Sequence, residues 1–176
     1  MRLLVVSDTH GDRESLSDIL RLLGRSVNAL IHLGDGSYDV RAAASQGVPV
    51  PPLYGIRGNM DSDNSVPLIR TFDAEGRRLL LAHGHRFPLG SGVESLVYAA
   101  LEQKARGFFF GHTHVPYCEE RDGILILNPG SLSRPRGPWG PSFAVVEAPA
   151  GSSCLDVKLY EVDSQNGKTV LKALRL

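Results

Sequence analysis

Two short segments each carry a pair of metal-ligand side chains two residues apart, Asp8-Thr9-His10 and His112-Thr113-His114. Asp35, Asn59 and His83 also follow apolar runs, so seven groups with ligand-type atoms lie just beyond expected strands. In parallel-sheet folds those carboxyl ends are where ligands gather. On extended backbone, side chains at i and i+2 project to the same side, so each pair is expected to grip one site. Gly11, Gly34, Gly36, Gly58, Gly84 and Gly111 flank the donors, permitting sharp turns and close backbone approach. Imidazole with carboxylate suits Mn²⁺, Fe²⁺, Co²⁺, Ni²⁺ or Zn²⁺, and a set without Cys argues against a closed structural zinc site. Seven donors exceed what one cation uses alongside water, whereas two cations sharing a carboxylate would employ them all. The expected site is an open, catalytic, dinuclear one.

The elements that must carry these groups are legible as apolar runs. Leu3 to Val6 reads as a buried strand. Leu16, Ile19, Leu20 and Leu23 then recur with helical spacing between Asp12, a candidate N-cap, and Gly24. Ala29 to Leu33 is a second strand, ending in Gly34-Asp35-Gly36 before a helical stretch around Val40 to Ala44. Val50 to Ile56 is a third, ending in Arg57-Gly58-Asn59, and the first half is therefore predicted to be a parallel βαβαβ arrangement. Leu79 to Ala82 leads to His83, a helix follows from about Val93 to Lys104, and Phe108 to Phe110 leads to Gly111-His112. The remainder, through Ile124 to Leu127, Phe143 to Val146 and Leu155 to Val162, is strand-rich and expected to supply a second sheet. Pro135 to Pro141 reads as an irregular loop. Residues 1–176 are expected to form one α/β domain containing two sheets.

Composition narrows the partners. Hydrophobic residues make up 42%, enough for a sizeable core. Lys plus Arg and Asp plus Glu number 19 each, so no global field draws the chain to nucleic acid or an anionic membrane. Any anionic substrate must be attracted locally. Cys118 and Cys154 are too few for a disulfide framework, and Leu3 to Val6 is too short for a signal-peptide core or membrane span. A cytoplasmic protein with no membrane contact is expected, and a homo-oligomer is compatible with the sequence.

The blocks Asp8-Thr9-His10, Gly34-Asp35, Gly58-Asn59-Met60-Asp61, His83-Gly84-His85 and Gly111-His112-Thr113-His114 together resemble the calcineurin-like metallophosphoesterase superfamily, in that family's order. Asn128-Pro129-Gly130-Ser131 looks like a loop of its small prokaryotic phosphodiesterase branch. The resemblance implies a four-layer α/β/β/α sandwich of two mixed sheets. It also implies one metal held by Asp8, His10 and His114, a second held by Asn59, His83 and His112, and Asp35 bridging them. Mn²⁺ is the favoured ion. A bridging water or hydroxide would attack the phosphorus of a small phosphate ester, most plainly a phosphodiester. One position departs from the pattern: the wider superfamily commonly has His after the Asn of the third block, to protonate the leaving group, and here Met60 stands there. Solvent, a metal-bound water or His85 would then supply that proton, and good leaving groups should be favoured.

Each remaining candidate has a structural reading beside the functional one. His32 lies within an apolar strand and is expected to be a buried, hydrogen-bonded histidine. His85 is assigned a supporting or substrate contact and not ligation. Asp61 is expected to orient a neighbouring group, a histidine among the candidates, or else to be an exposed turn carboxylate. Arg57, Arg86, Arg134 and Arg136 could bind phosphate or be solvated charges; Arg134 and Arg136 stand out only because they follow the Asn128 loop. Phe108 to Phe110 reads as core, and Trp139 as a lid, an interface anchor or a core cover. The same branch resembles a eukaryotic retromer scaffold subunit, so a protein-binding scaffold is the competing function. A nuclease is disfavoured, since nothing supplies a basic, aromatic groove for nucleic acid.

Overall fold

A computed structural model describes residues 1–165 and 168–176. In β1 (Arg2–Val6) every residue after Arg2 is fully buried, and the side chains alternate between two apolar clusters, Leu3 and Val5 in one, Leu4 and Val6 in the other. That alternation is the period of two of a strand covered on both faces. α1 (Arg13–Leu23) follows, capped as expected by Asp12, whose carboxylate accepts from the Ser15 N–H at 3.0 Å. β2 (Ala29–His32), α2 (Ser37–Ser45) and β3 (Leu53–Gly55) complete the βαβαβ unit, with β1, β2 and β3 parallel. The third strand is shorter than the expected Val50 to Ile56, because Pro51 and Pro52 cannot donate ladder hydrogen bonds.

The second sheet is built from β4 (Ile69–Ala74), β5 (Arg77–Ala82), β6 (Gly107–Phe109), β7 (Tyr117–Arg121) and β8 (Ile124–Asn128), with α3 (Glu94–Glu102) between β5 and β6. Its order is β4-β5-β6-β8-β7. β5, β6 and β8 run parallel, and the antiparallel edges β4 and β7 make the sheet mixed. Those two edge strands escape sequence reading because their polar and half-exposed residues lack an apolar run.

The expectation that the C-terminal strands belong to the second sheet is wrong for most of them. β9 (Ser142–Glu147), β10 (Asp156–Gln165) and β11 (Lys168–Ala173) return to the first sheet, whose order is β11-β10-β9-β1-β2-β3. β9 pairs antiparallel with β1, Leu3 opposite Val146 and Val5 opposite Ala144. An unpaired edge on β1 would leave buried backbone donors without acceptors, and β9 satisfies them.

The layers follow from the two clusters. Leu16, Ile19 and Leu20 of α1 and Val40 and Ala43 of α2 pack on Leu4, Val6 and Leu30 of the first sheet. Leu3, Val5 and Ile31 on its other face meet the second sheet, and Leu96, Val97 and Ala100 of α3 close that side. The result is the expected four-layer α/β/β/α sandwich. Each fully buried Leu or Ile contributes about 1.5–3 kcal/mol relative to exposure. Phe108, Phe109 and Phe110 are core residues, as expected. Among the described residues no helix is long and apolar enough to cross a membrane, and Cys118 and Cys154 are free thiols.

Candidate metal centre

β1, β2, β5 and β6 stop at Val6, His32, Ala82 and Phe109, and the next few residues of each carry Asp8 and His10, Asp35, His83, and His112 and His114. The paired donors are not on extended backbone as expected. Asp8, His10, Asp35, His112 and His114 all have positive φ, between 43° and 70°. Such a conformation is uncommon for residues other than Gly and persists where the surroundings over-determine it. Sharp left-handed turns immediately after the strands aim the side chains at one point, and this replaces the i, i+2 projection.

Around that point Asp8 Oδ1 lies 3.1 Å from His114 Nε2, 3.7 Å from His10 Nε2 and 3.8 Å from His83 Nε2. Asp35 Oδ2 lies 3.3 Å from His83 Nε2 and 4.0 Å from His10 Nε2, and the two Nε2 atoms of His10 and His114 are 3.3 Å apart. Two ligand groups result, Asp8 with His10 and His114, and Asp8 with Asp35 and His83. Ligands at about 2.0–2.2 Å from a shared cation are separated by roughly 3–3.5 Å; the separations at 3.1 and 3.3 Å fall in that range, and those of 3.7 to 4.0 Å lie just beyond it. Asp8 Oδ1 and His83 Nε2 are buried and lack a hydrogen-bond partner. Orphaned acceptors of this kind need an explanation, and a cation between them supplies one.

The rings are pre-set for that role. His83 Nδ1 is 2.7 Å from the Leu33 carbonyl and His114 Nδ1 is 2.7 Å from the Arg134 carbonyl. A carbonyl only accepts, so both Nδ1 atoms carry the proton and both Nε2 lone pairs face the cluster. The carboxylates are equally constrained. Asp8 Oδ2 accepts from Ser7 Oγ at 2.5 Å and from the His112 N–H at 3.0 Å, and Asp35 Oδ1 accepts from the Met60 N–H at 2.7 Å. One oxygen of each is thereby left for the centre.

Charge and burial pull the groups apart. Burial raises the carboxyls of Asp8 and Asp35, but His114, His83 and Ser7 around Asp8, and His83 and the Met60 N–H beside Asp35, leave both below their ordinary value. Burial depresses His10, His85 and His112. His83 alone rises, because Asp35 and Asp8 outweigh its burial.

Asn59 and His112, the other two expected donors, line a cleft of about 420 Å³ with His10, Asp35 and His114. The His112 ring stands 5.1 Å from His83, centroid to centroid. His85 sits beyond them, 5.4 Å from His83 and 6.2 Å from His112. Met60 is 69% exposed and borders both this cleft and a second of about 350 Å³.

Asp61 does orient a neighbour, but not a histidine. Its Oδ2 accepts from the N–H groups of Asp35 and Gly58, both at 2.9 Å, and its Oδ1 from those of Gly36 at 3.0 Å and Ser37 at 3.3 Å. It holds the Asp35 loop and the start of α2 together. Gly58 approaches so closely that a Cβ there would lie 2.0 Å from Asp35 Oδ1, and at Gly111 one would lie 1.9 Å from Ser7 Oγ and 2.7 Å from Asp8 Oδ2. His32 is fully buried as expected: Nδ1 accepts from the Gly34 N–H at 3.2 Å, and Nε2 then donates to Thr9 Oγ1 at 3.2 Å.

Sequence reading missed a set of bracing residues. Thr9 Oγ1 donates to Asp39 Oδ2 at 2.7 Å, and the Gly11 N–H donates to the same oxygen at 2.8 Å. Asn128 Nδ2 donates to the Gly111 carbonyl at 3.0 Å and to Thr113 Oγ1 at 2.9 Å, while Ser131 and Ser133 both donate to the Asp8 carbonyl. The Asn128-Pro129-Gly130-Ser131 motif was the available signal; its target was not readable from one dimension.

The chain matches the family model described as "Calcineurin-like phosphoesterase superfamily domain" over residues 1–151. It is 31% identical over 146 residues to the probable metallophosphoesterase YsnB of Bacillus subtilis, covering 83% of each chain. It is 30% identical over 168 residues to the phosphodiesterase YfcE of Escherichia coli, covering 84% of this chain and 88% of that one. Among solved structures, a conserved predicted phosphoesterase from Streptococcus pneumoniae superposes with a TM-score of 0.75 at 27% identity, covering 98% and 97% of the two chains. Vps29 from Entamoeba histolytica, crystallised with zinc, gives 0.75 at 20% identity over 99% and 98%, a likeness of fold alone. With imidazole and carboxylate donors gathered on turns after its central strands and a family match across most of its length, this chain belongs to the calcineurin-like phosphoesterase superfamily, a metal-dependent family.

Proposed function

We propose that this chain hydrolyses phosphodiesters with the help of two divalent cations, Mn²⁺ favoured, held by the donors gathered around Asp8 and Asp35. The observation that carries the reading is that Asp8 Oδ1 and His83 Nε2, assigned one to each cation, are both buried and without a hydrogen-bond partner, 3.8 Å apart. Asp8, His10 and His114 would hold one cation, Asn59, His83 and His112 the other, and Asp35 would serve both. When bound, the cations supply Lewis acidity, lowering the pKa of water and neutralising charge on the phosphoryl oxygens. The chain's own contribution is to fix lone-pair directions through Leu33 and Arg134, and to hold the Asp35 loop on Asp61. His85 stands outside the ligand set, where it would contact substrate or the leaving oxygen. Residues 1–176 would act as one domain, inside the cell, on small esters and not on nucleic acid.

Metal analysis of active protein, paired with a screen of mono- and diesters across Mn²⁺, Ni²⁺, Zn²⁺ and Mg²⁺, tests the reading. Two metals per chain and diester turnover are expected; saturation at one metal per chain sinks the dinuclear form. The likeness to Vps29 supports a second reading, a protein-binding scaffold of the same fold. Absence of turnover on every ester with both sites loaded would favour it. The complete donor set, Asp35 and Asn59 included, weighs for the enzyme.

A further inference from the structure

The candidate centre lies where two clefts meet, and the clefts differ in charge. In the smaller one the guanidinium groups are already neutralised: Arg13 lies 3.5 Å from Asp39, and Arg41 lies 3.1 Å from Asp63. Tyr38, 64% exposed with Arg13 over its ring at 5.4 Å, gives that cleft an open aromatic surface beside Met60. The larger cleft is lined by Arg134 and Arg136, and neither guanidinium has an ion pair or hydrogen bond among the described residues.

Their backbone, by contrast, is held on both sides of a candidate ligand. The Arg134 carbonyl accepts from His114 Nδ1 at 2.7 Å, and the Arg136 N–H donates to the His114 carbonyl at 3.0 Å. The Arg134 N–H donates to Ser131 Oγ at 2.9 Å, and Ser131 in turn donates to the Asp8 carbonyl. Pro135 between them fixes one further dihedral. Two exposed, unpaired cations are thus rooted by their backbone on the same framework as the donors, so that binding has only their side chains left to order. The chain has no net charge, so an anion must be drawn by local charge, to which this pair adds beside any bound cations.

Resting on the phosphodiesterase reading, we propose that Arg134 and Arg136 form a second anion subsite, selecting diesters that carry a further phosphate on the arm opposite the leaving group. The scissile phosphate sits at the centre, the second phosphate in the cleft with the two forks, and the leaving group toward Tyr38 and Met60. A planar guanidinium matches phosphate oxygens in pairs, and an unpaired one needs no ion pair broken first.

The test compares two substrates with one leaving group: the 5′-nitrophenyl phosphodiester of thymidine, and the same compound bearing a 3′-phosphate. The wild-type protein should favour the second by about tenfold in kcat/KM, mostly through KM, a size ordinary for charge-assisted pairs at a partly open site. Arg134→Gln with Arg136→Gln should bring the ratio to near one. The corresponding Lys pair should keep part of it, having charge without the fork. Tyr38→Ala should lower both rates and leave the ratio standing. Calorimetry on metal-loaded protein, with thymidine 3′,5′-bisphosphate against thymidine 5′-monophosphate, should show the same preference and its loss in the Gln pair. Equal kcat/KM in the wild type, a ratio that survives both Gln substitutions, or its collapse in Tyr38→Ala would each overturn the subsite. Failure to hydrolyse either diester would instead remove the phosphodiesterase reading, and the two calorimetric affinities would then decide the subsite by themselves.

Discussion

At the scale of single residues, Asp35 and Met60 carry the sharpest expectations. Asp35 Oδ2 faces both His10 and His83 while its other oxygen is occupied by the Met60 N–H. Asp35→Asn puts an amide in place of a shared anion, and should remove metal binding and activity together. His85→Ala, at a ring adjacent to His83 but outside both ligand groups, should lower activity roughly 10–100-fold with metal content kept. Metal analysis of the two variants decides: if His85→Ala loses metal and Asp35→Asn keeps it, the ligand set must be redrawn. Met60 borders both clefts and cannot carry a proton. Without a positioned acid, which contributes about 10²–10⁴-fold, aryl diesters should far outpace alkyl ones, and Met60→His should raise alkyl rates relative to aryl at matched metal loading. A wild-type rate independent of leaving-group pKa, with chemistry rate-limiting, would point to His85 as an existing donor.

At the scale of elements, the turns after the strands are held by side chains from other elements, and Asp61 does this for two at once. The N-cap of α2 is Gly36, which has no side chain to cap the helix, and Asp61 supplies the missing acceptor to the Gly36 and Ser37 N–H groups. The same carboxylate fixes the Asp35 and Gly58 N–H groups. Asp61→Asn sets an amide donor against backbone donors, and metal affinity should weaken by about 10–100-fold. Asp12→Ala at the start of α1 removes an ordinary cap instead, costing about 1 kcal/mol of stability, with no change in metal affinity. Metal titration and urea unfolding of both variants separate the two kinds of cap. Equal metal affinity in wild type and Asp61→Asn would mean that the loop holds its shape alone.

At the scale of the whole molecule, the buried and half-buried histidines tie stability to pH. Burial lowers His32, and it lowers His10, His85 and His112 as well. A histidine whose folded pKa lies below its unfolded value of about 6.5 binds protons more readily when unfolded. Its contribution is therefore complete above that pH and lost as pH falls toward the folded pKa. His83 works the other way, being raised by Asp35 and Asp8 against its burial. Four groups against one predict that metal-free protein has a lower urea midpoint at pH 5.5 than at pH 7.5, a difference that equilibrium unfolding at the two pH values measures directly. A midpoint that rises on acidification would mean that the carboxylate–His83 interaction dominates the metal-free centre.

The strand and helix runs around Asp8, Asp35, His83 and His112 were legible in the sequence, because periods of two and 3.6 are local properties of the chain. So was the chemistry of the donors, since imidazole and carboxylate select their metals whatever the fold. The burial of His32 and the Asp12 cap before α1 were readable for the same local reason, although β2 ends at His32 and does not run past it. The tertiary structure alone decided the rest. Left-handed turns at Asp8, His10, His112 and His114, where an extended path was expected, and at Asp35 lie in loops that Asn128, Ser131 and Asp61 brace from other segments. The return of β9 beside β1, pairing residues from nearly opposite ends of the chain, answers to unsatisfied backbone groups on β1 and to the two clusters it completes. Such partners are chosen by burial and hydrogen-bond satisfaction across the whole molecule, which no window of sequence contains.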